Sequence, residues 1–232
     1  MKEAVIVSTA RTPIAKAYRG GFNMLKGASL GAASVAEAVK RAGIDPGEVD
    51  DVIMGCALQQ GTTGGNIARQ IALRAGLPAT VPGMSIDRQC SSGLMAVATA
   101  AKQITEDGMG IVVGGGLDSI SLVQNEHMNM HQFVDEELVA ISPSIHMPML
   151  QTAEIVANRY NISRESMDEY GLQSQNRTAA AYTAGKYDDE LVPVTCKRMI
   201  MNKEAGETSV VEGTVSADEG VRATTAENLA NL

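Results

Sequence analysis

Residues 1–121 alternate between short runs typical of buried β-strands and longer runs typical of helices. We predict strands at 4–8, 49–58, 81–86 and 111–115, and helices at about 29–42, 66–75 and 90–105. This alternation is the pattern of βαβ units, in which helices cover a parallel sheet. Glycine occurs 23 times and aromatic residues make up only 3% of the chain, which favours close approach of backbones in the core. The sequence therefore predicts an α/β fold for this part.

The pattern changes after residue 121. The amphipathic segments AEIVANRY and SRESMDEYGLQSQNRTAAAYTAG predict two helices, the second beginning at a cap formed by Ser163 and ending near Gly185. The final residues pass through a turn at 218–220 and begin another helix, with no closing strand after it. We therefore predict two domains, an incomplete α/β core at 1–121 and, at 122–232, an inserted and mainly helical domain with the start of the return to the core.

The charge and apolar patterning exclude several classes of function. The formal net charge is -8, and no basic stripe is interleaved with aromatic residues, so we expect no nucleic-acid partner. No apolar run approaches the ~20 residues needed to span a bilayer, and no signal segment is evident, so we expect a cytoplasmic protein without membrane insertion. Three cysteines are too few and too odd a number for a disulfide framework, so the thiols should be reduced.

Cys90 stands in DRQCSSGLMA, between the apolar run VPGMSI and the helix expected from residue 90. Unpaired N–H groups and the positive end of the dipole at a helix N-terminus stabilise a thiolate. Gly93 would let a substrate approach the first turn, and Ser91 and Ser92 suit a terminal turn. Asp87 opposes this effect, because a nearby carboxylate disfavours a thiolate. From position alone, Cys90 is either a reactive nucleophile or a small structural side chain.

The other cysteines and the histidines indicate structure rather than chemistry. Cys56 and Cys196 lie among apolar residues, and we expect both to pack in the core or at its edge. His127 and His131 are spaced i, i+4, as two metal ligands on one helical face would be. A metal site needs more convergent ligands than this pair, so we predict that these histidines are solvated or lie at a contact and that the chain holds no metal.

Several motifs together resemble the thiolases, the acetyl-CoA acetyltransferases and 3-ketoacyl-CoA thiolases. The segment DRQCSSGLMA resembles the family's nucleophile motif, an Asn-Arg/Lys-x-Cys-x-Ser-Gly run at the start of a central helix. The same resemblance extends over nearly the whole chain, through EAVIVSTARTPIAKAYRGG, GTTGGNIARQIALRAGLP, GGGLDSIS, MLQTAEIVANRYNISRESMDEYGLQSQNRTAAA, GKYDDELVPV and DEGVRATTAENLANL.

The resemblance implies a fold and a reaction. The fold would be a thiolase-like N-terminal core domain, a mixed sheet covered by helices, with the inserted helical loop domain. Cys90 would be the acyl acceptor in thiolysis of a 3-ketoacyl-CoA or in Claisen condensation of acetyl-CoA, and its backbone N–H would serve an oxyanion hole. Coenzyme A would be a substrate and acyl-CoA the partner, with no resident cofactor. The assembly would be a homodimer or homotetramer.

By the same resemblance, four further residues belong to the coenzyme A and acyl site. Arg222 falls where the family contacts the nucleotide portion of coenzyme A, and Met149 where it lines the pantetheine and acyl pocket. Asn228 and Leu232 would lie near that site.

The sequence also departs from the family pattern. Asp87 replaces the usual Asn, and Leu150 stands where a Gly is usual. By the same resemblance, three elements of the family's second half have no counterpart in the 232 residues: its Asn-Glu motif, its Gly-His-Pro histidine and its second catalytic cysteine. We therefore expect an N-terminal half that lacks the C-terminal core domain. One alternative stays open, a catalytically inactive fragment that binds coenzyme A or a partner subunit. A ketosynthase that acts on carrier-protein thioesters fits less well, because Arg222 and the long helical insertion suit coenzyme A and QCSSGL resembles a thiolase more closely.

Overall fold

The structure is a computed structural model, and it describes residues 2–202 and 206–232. The chain forms two compact units, each built from two segments. The first, here called the core unit, comprises Met1–Met128 and Asp188–Gly220; the second, the helical unit, comprises Asn129–Tyr187 and Val221–Leu232.

The core unit is built on a three-stranded parallel sheet in the order β2-β1-β3. Its strands are β1 (Asp51–Gly55), β2 (Gly83–Ile86) and β3 (Val112–Gly116), with Val52 opposite Gly83 and Asp51 opposite Val112. The helices of this unit are α1 (Gly27–Ala42), α2 (Ile67–Arg74), α3 (Ser92–Thr105) and the short α4 (Ile120–Val123). Six of the seven strands and helices predicted for residues 1–121 are therefore confirmed, with shifts of a few residues at their ends.

The central strand β1 shows why this region folds as three layers. All five of its residues are buried, and successive side chains of a strand point to opposite faces of the sheet. Val52 and Met54 join the cluster formed with α1 and α2, whereas Ile53 packs against Ala96 and Ala100 of α3. Each fully buried aliphatic side chain of this kind contributes about 1.5–3 kcal/mol to folding. The sheet is thus covered by helices on both faces.

The predicted strand at 4–8 is wrong, because this segment has no strand partner among the described residues. Its side chains Val5, Ile6 and Val7 are 71–77% exposed. The Lys2 ammonium donates to the carbonyls just before β3, and the backbone N–H of Tyr18 donates to a hydroxyl just after it. Between these two anchors, a cavity of about 820 Å³ lies between the segment and β3. An apolar run becomes a strand only where a neighbour accepts its N–H groups.

An antiparallel hairpin that the sequence pattern did not predict also belongs to the core unit. It pairs β4 (Val194–Met201) with β5 (Thr208–Val215), and its Cys196 and Val215 pack against Phe22. An ion pair between Arg11 and Asp218, with N–O distances of 2.8 and 3.0 Å, ties the end of this segment to the N-terminal region. Residues 188–220 therefore belong to the core unit. The predicted range 122–232 joined the inserted domain and the start of the return to the core without dividing them.

The helical unit contains the two helices predicted from amphipathicity. Its helices are α5 (Glu136–Ile141), α6 (Met149–Tyr160), α7 (Arg164–Thr183) and α8 (Ala226–Ala230). The Ser163 hydroxyl accepts the backbone N–H of Ser166 at 3.2 Å, and Gly185 adopts a left-handed φ of 66° just after α7, so both predicted helix ends are confirmed. None of the residues 129–187 and 221–232 is buried, so this unit has no core of its own.

None of the helices within 2–202 and 206–232 is long and apolar enough to cross a membrane.

Candidate functional site

Cys90 lies on the turn that joins the carboxyl end of β2 to α3, and it is the exposed cysteine of the three. The helix begins at Ser92, with Ser91 as N-cap, so the expectation that it begins at Cys90 is wrong by two residues. The reason is a tight turn: the N–H groups of Ser91 and Ser92 donate to the carbonyls of Arg88 and Gln89. The thiol therefore precedes the helix and remains accessible to a substrate.

Short hydrogen bonds hold this turn. The Asp87 carboxylate accepts the backbone N–H of Gln89 at 2.7 Å, and the Ser92 hydroxyl accepts that of Arg88 at 2.8 Å. The same hydroxyl donates to the Gln89 carbonyl at 2.6 Å. None of these bonds uses the backbone N–H of Cys90.

Two glycines let the turn sit directly on the edge of the sheet. A Cβ at Gly55, the last residue of β1, would lie 2.2 Å from the Ser92 carbonyl carbon and 2.5 Å from the Gly93 nitrogen. A Cβ at Gly116, the last residue of β3, would lie 3.1 Å from the Gly93 Cα. Gly93 itself faces open space, since nothing outside its chain neighbours and the backbone of its own helix lies within 4 Å of its Cβ position. The first turn of α3 thus packs closely against the ends of β1 and β3, while the side at Gly93 is open, where the sequence led us to expect substrate approach.

Cys56 lies at the same edge of the sheet but is fully buried. Its thiol donates to the Asp118 carboxylate at 3.4 Å, and that carboxylate also accepts the backbone N–H of Leu58 at 3.0 Å. Burial, and then the negative charge and hydrogen bond of Asp118, raise the pKa of Cys56 to about 11. Cys56 is therefore a protonated thiol at neutral pH, in agreement with the structural role predicted for it.

Cys196 is buried too, within the cluster under the β4–β5 hairpin. Its thiol donates to the Gly21 carbonyl at 3.3 Å, and burial raises its pKa. The position matches the predicted packing role.

The four residues predicted to contact coenzyme A all belong to the helical unit, and all four are exposed. Met149 is the first residue of α6. Asn228 lies in α8, where its backbone N–H donates to the capping hydroxyl of Thr225 at 3.1 Å. Arg222 precedes this helix and Leu232 follows it. Their role in binding coenzyme A stays a prediction.

The histidine pair does not have the geometry expected of metal ligands. Neither His127 nor His131 lies in a helix, so the i, i+4 spacing does not place them on a common helical face. His127 is exposed, and its nearest charged partner is the carboxylate of Glu126 at 3.6 Å. Within the described ranges, no group of three or more His, Cys, Asp or Glu side chains is arranged to hold a metal ion.

The sequence analysis did not predict the role of three residues that shape the turn. The Ser92 hydroxyl bonds to residues that precede it in the chain, and Gly55 and Gly116 let the turn pack closely against the strand ends. A signal for the glycines exists, because each of the two adjacent strands β1 and β3 ends in glycine where the helix begins. No comparable signal marks Ser92, since a serine near a helix start is expected to cap the helix.

An exposed cysteine beside the N-terminus of a helix is the kind of site at which a thiol nucleophile can be activated. The family model for the thiolase N-terminal domain matches residues 4–232. The chain belongs to the thiolase family.

Individual relatives agree with this assignment. The chain is 41% identical over 236 residues to a 3-ketoacyl-CoA thiolase of Bacillus subtilis, which covers 100% of the chain and 59% of that relative. It is 41% identical over 206 residues to an acetyl-CoA acetyltransferase of Cupriavidus necator, covering 84% of the chain and 51% of that relative. The crystal structure of the Bacillus anthracis acetyl-CoA acetyltransferase superposes with a TM-score of 0.82 at 36% identity, over 100% of this chain and 58% of that one. The chain thus spans somewhat more than half the length of these relatives.

Proposed function

We propose that this chain supplies the nucleophile half of a thiolase, an acyltransferase in which Cys90 carries the acyl group. One observation carries the proposal: Cys90, the exposed cysteine of the three, lies on the turn between β2 and the start of α3. The match to the thiolase N-terminal domain and the names of the relatives support it.

In the thiolysis direction, the Cys90 thiolate attacks the ketone carbon of a 3-ketoacyl-CoA and the Cys90 N–H donates to the developing oxyanion. The bond between the ketone carbon and the α-carbon then breaks. Acetyl-CoA leaves with the electron pair of that bond and takes up a proton, while the acyl group stays on sulfur. A second coenzyme A thiol takes the acyl group and frees Cys90. Condensation of two acetyl-CoA molecules follows the same steps in reverse.

The open side of Gly93 is the route by which the acyl carbon would reach the thiol. We assign Arg222 to the nucleotide portion of coenzyme A and Met149 to the pantetheine and acyl pocket, with Asn228 and Leu232 beside them. Coenzyme A would act as substrate, with no resident cofactor. Since Cys90 must stay reduced to react, we place this activity in the cytoplasm, with a homodimer or homotetramer as the working assembly.

A direct test is transfer of the acetyl group from acetyl-CoA to the protein. The parent chain is incubated with acetyl-CoA, and intact mass and peptide mapping then locate any acetyl group. We expect slow, single-site acetylation of Cys90 that is absent in the Cys90→Ala variant and retained in Cys196→Ala. Acetylation spread over lysines, with none on Cys90, would contradict the proposal.

A further inference from the structure

Ser92 occupies a position that links the nucleophile turn to the sheet. It is buried, with 4% of its surface exposed, although it adjoins the exposed turn. Its backbone carbonyl lies against Gly55, where a Cβ would come within 2.3 Å of the Ser92 oxygen. Its hydroxyl bonds to Arg88 and Gln89, on the other side of Cys90 in sequence. The side chain therefore closes a ring of bonds around the nucleophile.

The ring holds a conformation that the backbone does not favour by itself. Gln89, the residue before Cys90, has a φ of 49°, in the left-handed region that non-glycine residues rarely adopt. The Gln89 carbonyl accepts both the hydroxyl and the N–H of Ser92, at 2.6 and 3.0 Å. These two bonds, together with the bond from the Gln89 N–H to the Asp87 carboxylate, oppose relaxation of the turn.

A helix-capping role does not account for the Ser92 hydroxyl. The N-cap of α3 is Ser91, whose side chain makes no capping bond. The Ser92 hydroxyl accepts its hydrogen bond from Arg88, which lies before the helix, rather than from an N–H of the helix. Its bonding is directed at the turn that carries Cys90.

We propose that Ser92 is a positioning residue for acyl transfer, an inference that rests on the function proposed above. Its hydroxyl keeps the Cys90 sulfur directed at the acyl carbon and the Cys90 backbone N–H directed at the oxygen on that carbon. Attack on a thioester or ester requires both groups at once, because the carbonyl oxygen becomes an oxyanion. Alkylation by iodoacetamide builds no oxyanion and requires only the sulfur. Loss of Ser92 should therefore slow acylation of Cys90 far more than its alkylation.

The test compares the two reactions in the Ser92→Ala variant of the full chain. p-Nitrophenyl acetate serves as acyl donor, since it needs no coenzyme A site: the Cys90 sulfur bonds to the acetyl carbon, p-nitrophenolate leaves, and the thiol proton goes to solvent. Misplacement by about 1 Å can cost 10²-fold in rate, so we expect acetylation to fall about 10-fold or more and alkylation to change less than about 3-fold. Ser92→Thr, which keeps the hydroxyl, should restore the ratio of the two rates.

Two controls separate positioning from loss of fold. Ser91→Ala removes a neighbouring hydroxyl that makes no capping bond, so the ratio should be unchanged. Alkylation of the buried Cys56 reports opening of the core in every variant. If Ser92→Ala exposes Cys56, the same two rates are measured in the double variant Gln89→Gly with Ser92→Ala. Glycine at position 89 adopts the positive φ of the turn without strain, so this variant tests the role of the hydroxyl in a folded protein. It should stay folded and still show the reduced ratio.

Equal loss of both reactions, or no loss of either, in a folded variant would overturn the role of Ser92. A parent chain whose Cys90 is alkylated but never acetylated would instead contradict the proposed function, and with it the inference. A parent that is acetylated, beside a Ser92→Ala variant with an unchanged ratio, would contradict the inference alone.

Discussion

Replacing Gly55 by alanine should destabilise the core unit, because β1 ends directly beneath the turn that carries Cys90. The new Cβ would lie 2.2 Å from the Ser92 carbonyl carbon and 2.3 Å from its oxygen. These are backbone atoms, so no rotamer change relieves the overlap. The start of α3 would have to move by about 1 Å or more to restore van der Waals contact.

The size of the effect follows from two opposing contributions. Overpacking of this kind costs about 1–3 kcal/mol, and the rigid backbone contact favours the upper end. Restricting the unfolded chain by a Gly→Ala change returns about 0.4–1 kcal/mol. The net loss is then about 2 kcal/mol, which lowers Tm by about 4–8 °C in a chain of this size.

Thermal unfolding followed by circular dichroism measures this change, and Gly93→Ala is the matched control. Position 93 has nothing outside its chain neighbours and the backbone of its own helix within 4 Å of a Cβ and lies in the first turn of α3, so alanine there should leave Tm unchanged or raise it. A Gly55→Ala variant with the same Tm as the parent would refute the close packing of the Cys90 turn against the end of β1.

Three further predictions concern the thiols and the exposed apolar residues. Limiting iodoacetamide near neutral pH, followed by peptide mapping, should label Cys90 ahead of the buried Cys56 and Cys196; equal labelling of all three in folded protein would contradict the assignment. Because the pKa of Cys56 is raised from 9.0 to about 11, its protonated form stabilises the fold below pH 9, and this stability is lost as pH rises to 11. Denaturant unfolding should show that the free energy of unfolding of the parent falls by roughly 2–3 kcal/mol relative to that of Cys56→Ala between pH 9 and pH 11. A difference between the two free energies that stays constant over this interval would count against the buried contact of Cys56 with the Asp118 carboxylate. Finally, the exposed side chains at 5–7 and the open sheet edges favour association, so light scattering should detect a dimer or larger species, and a clean monomer at micromolar concentration would exclude it.

The part of the fold that the sequence predicts well is the part in which each element carries its own signal. β1 contains the apolar run 52–54 and every residue of the strand is buried, as the centre of a parallel sheet requires. The helices α6 and α7 each carry an amphipathic pattern, α7 also has a cap residue and a stop residue, and both helices lie where the pattern placed them.

The misses have a common physical cause, since each depends on a partner distant in sequence. The run at 4–8 has the composition of a strand, but whether it pairs depends on a neighbour beside β3. The β4–β5 hairpin is stabilised by pairing and by Phe22, and its exposed strands mix charged and apolar residues without a clear period of two. To predict the unpaired run at 4–8 or the β4–β5 hairpin, one would need to know which segments distant in sequence pair with each other.

At the site, the sequence predicts the nucleophile but not its support. The position of Cys90 before a helix follows from the change of pattern around it. The hydrogen bond of Ser92 to the preceding turn does not follow from the sequence, because a serine hydroxyl at that place can bond either to the helix or to the turn before it. The positive φ of Gln89 decides between these options, and no local residue type signals it.

The central claim, that Cys90 is the acyl acceptor of a thiolase half, is tested most directly by complementation of turnover. The chain is mixed with the separately expressed part of the Bacillus subtilis 3-ketoacyl-CoA thiolase that it does not match, and cleavage of acetoacetyl-CoA by coenzyme A is followed. By the family resemblance, the activating histidine and the second catalytic cysteine belong to the part that the chain does not match. General acid–base groups and oxyanion donors each contribute about 10²–10⁴ in rate, so we expect no turnover from the chain alone. We expect the mixture to produce acetyl-CoA and the same mixture with Cys90→Ala to produce none. Undiminished turnover by the Cys90→Ala mixture would contradict the claim.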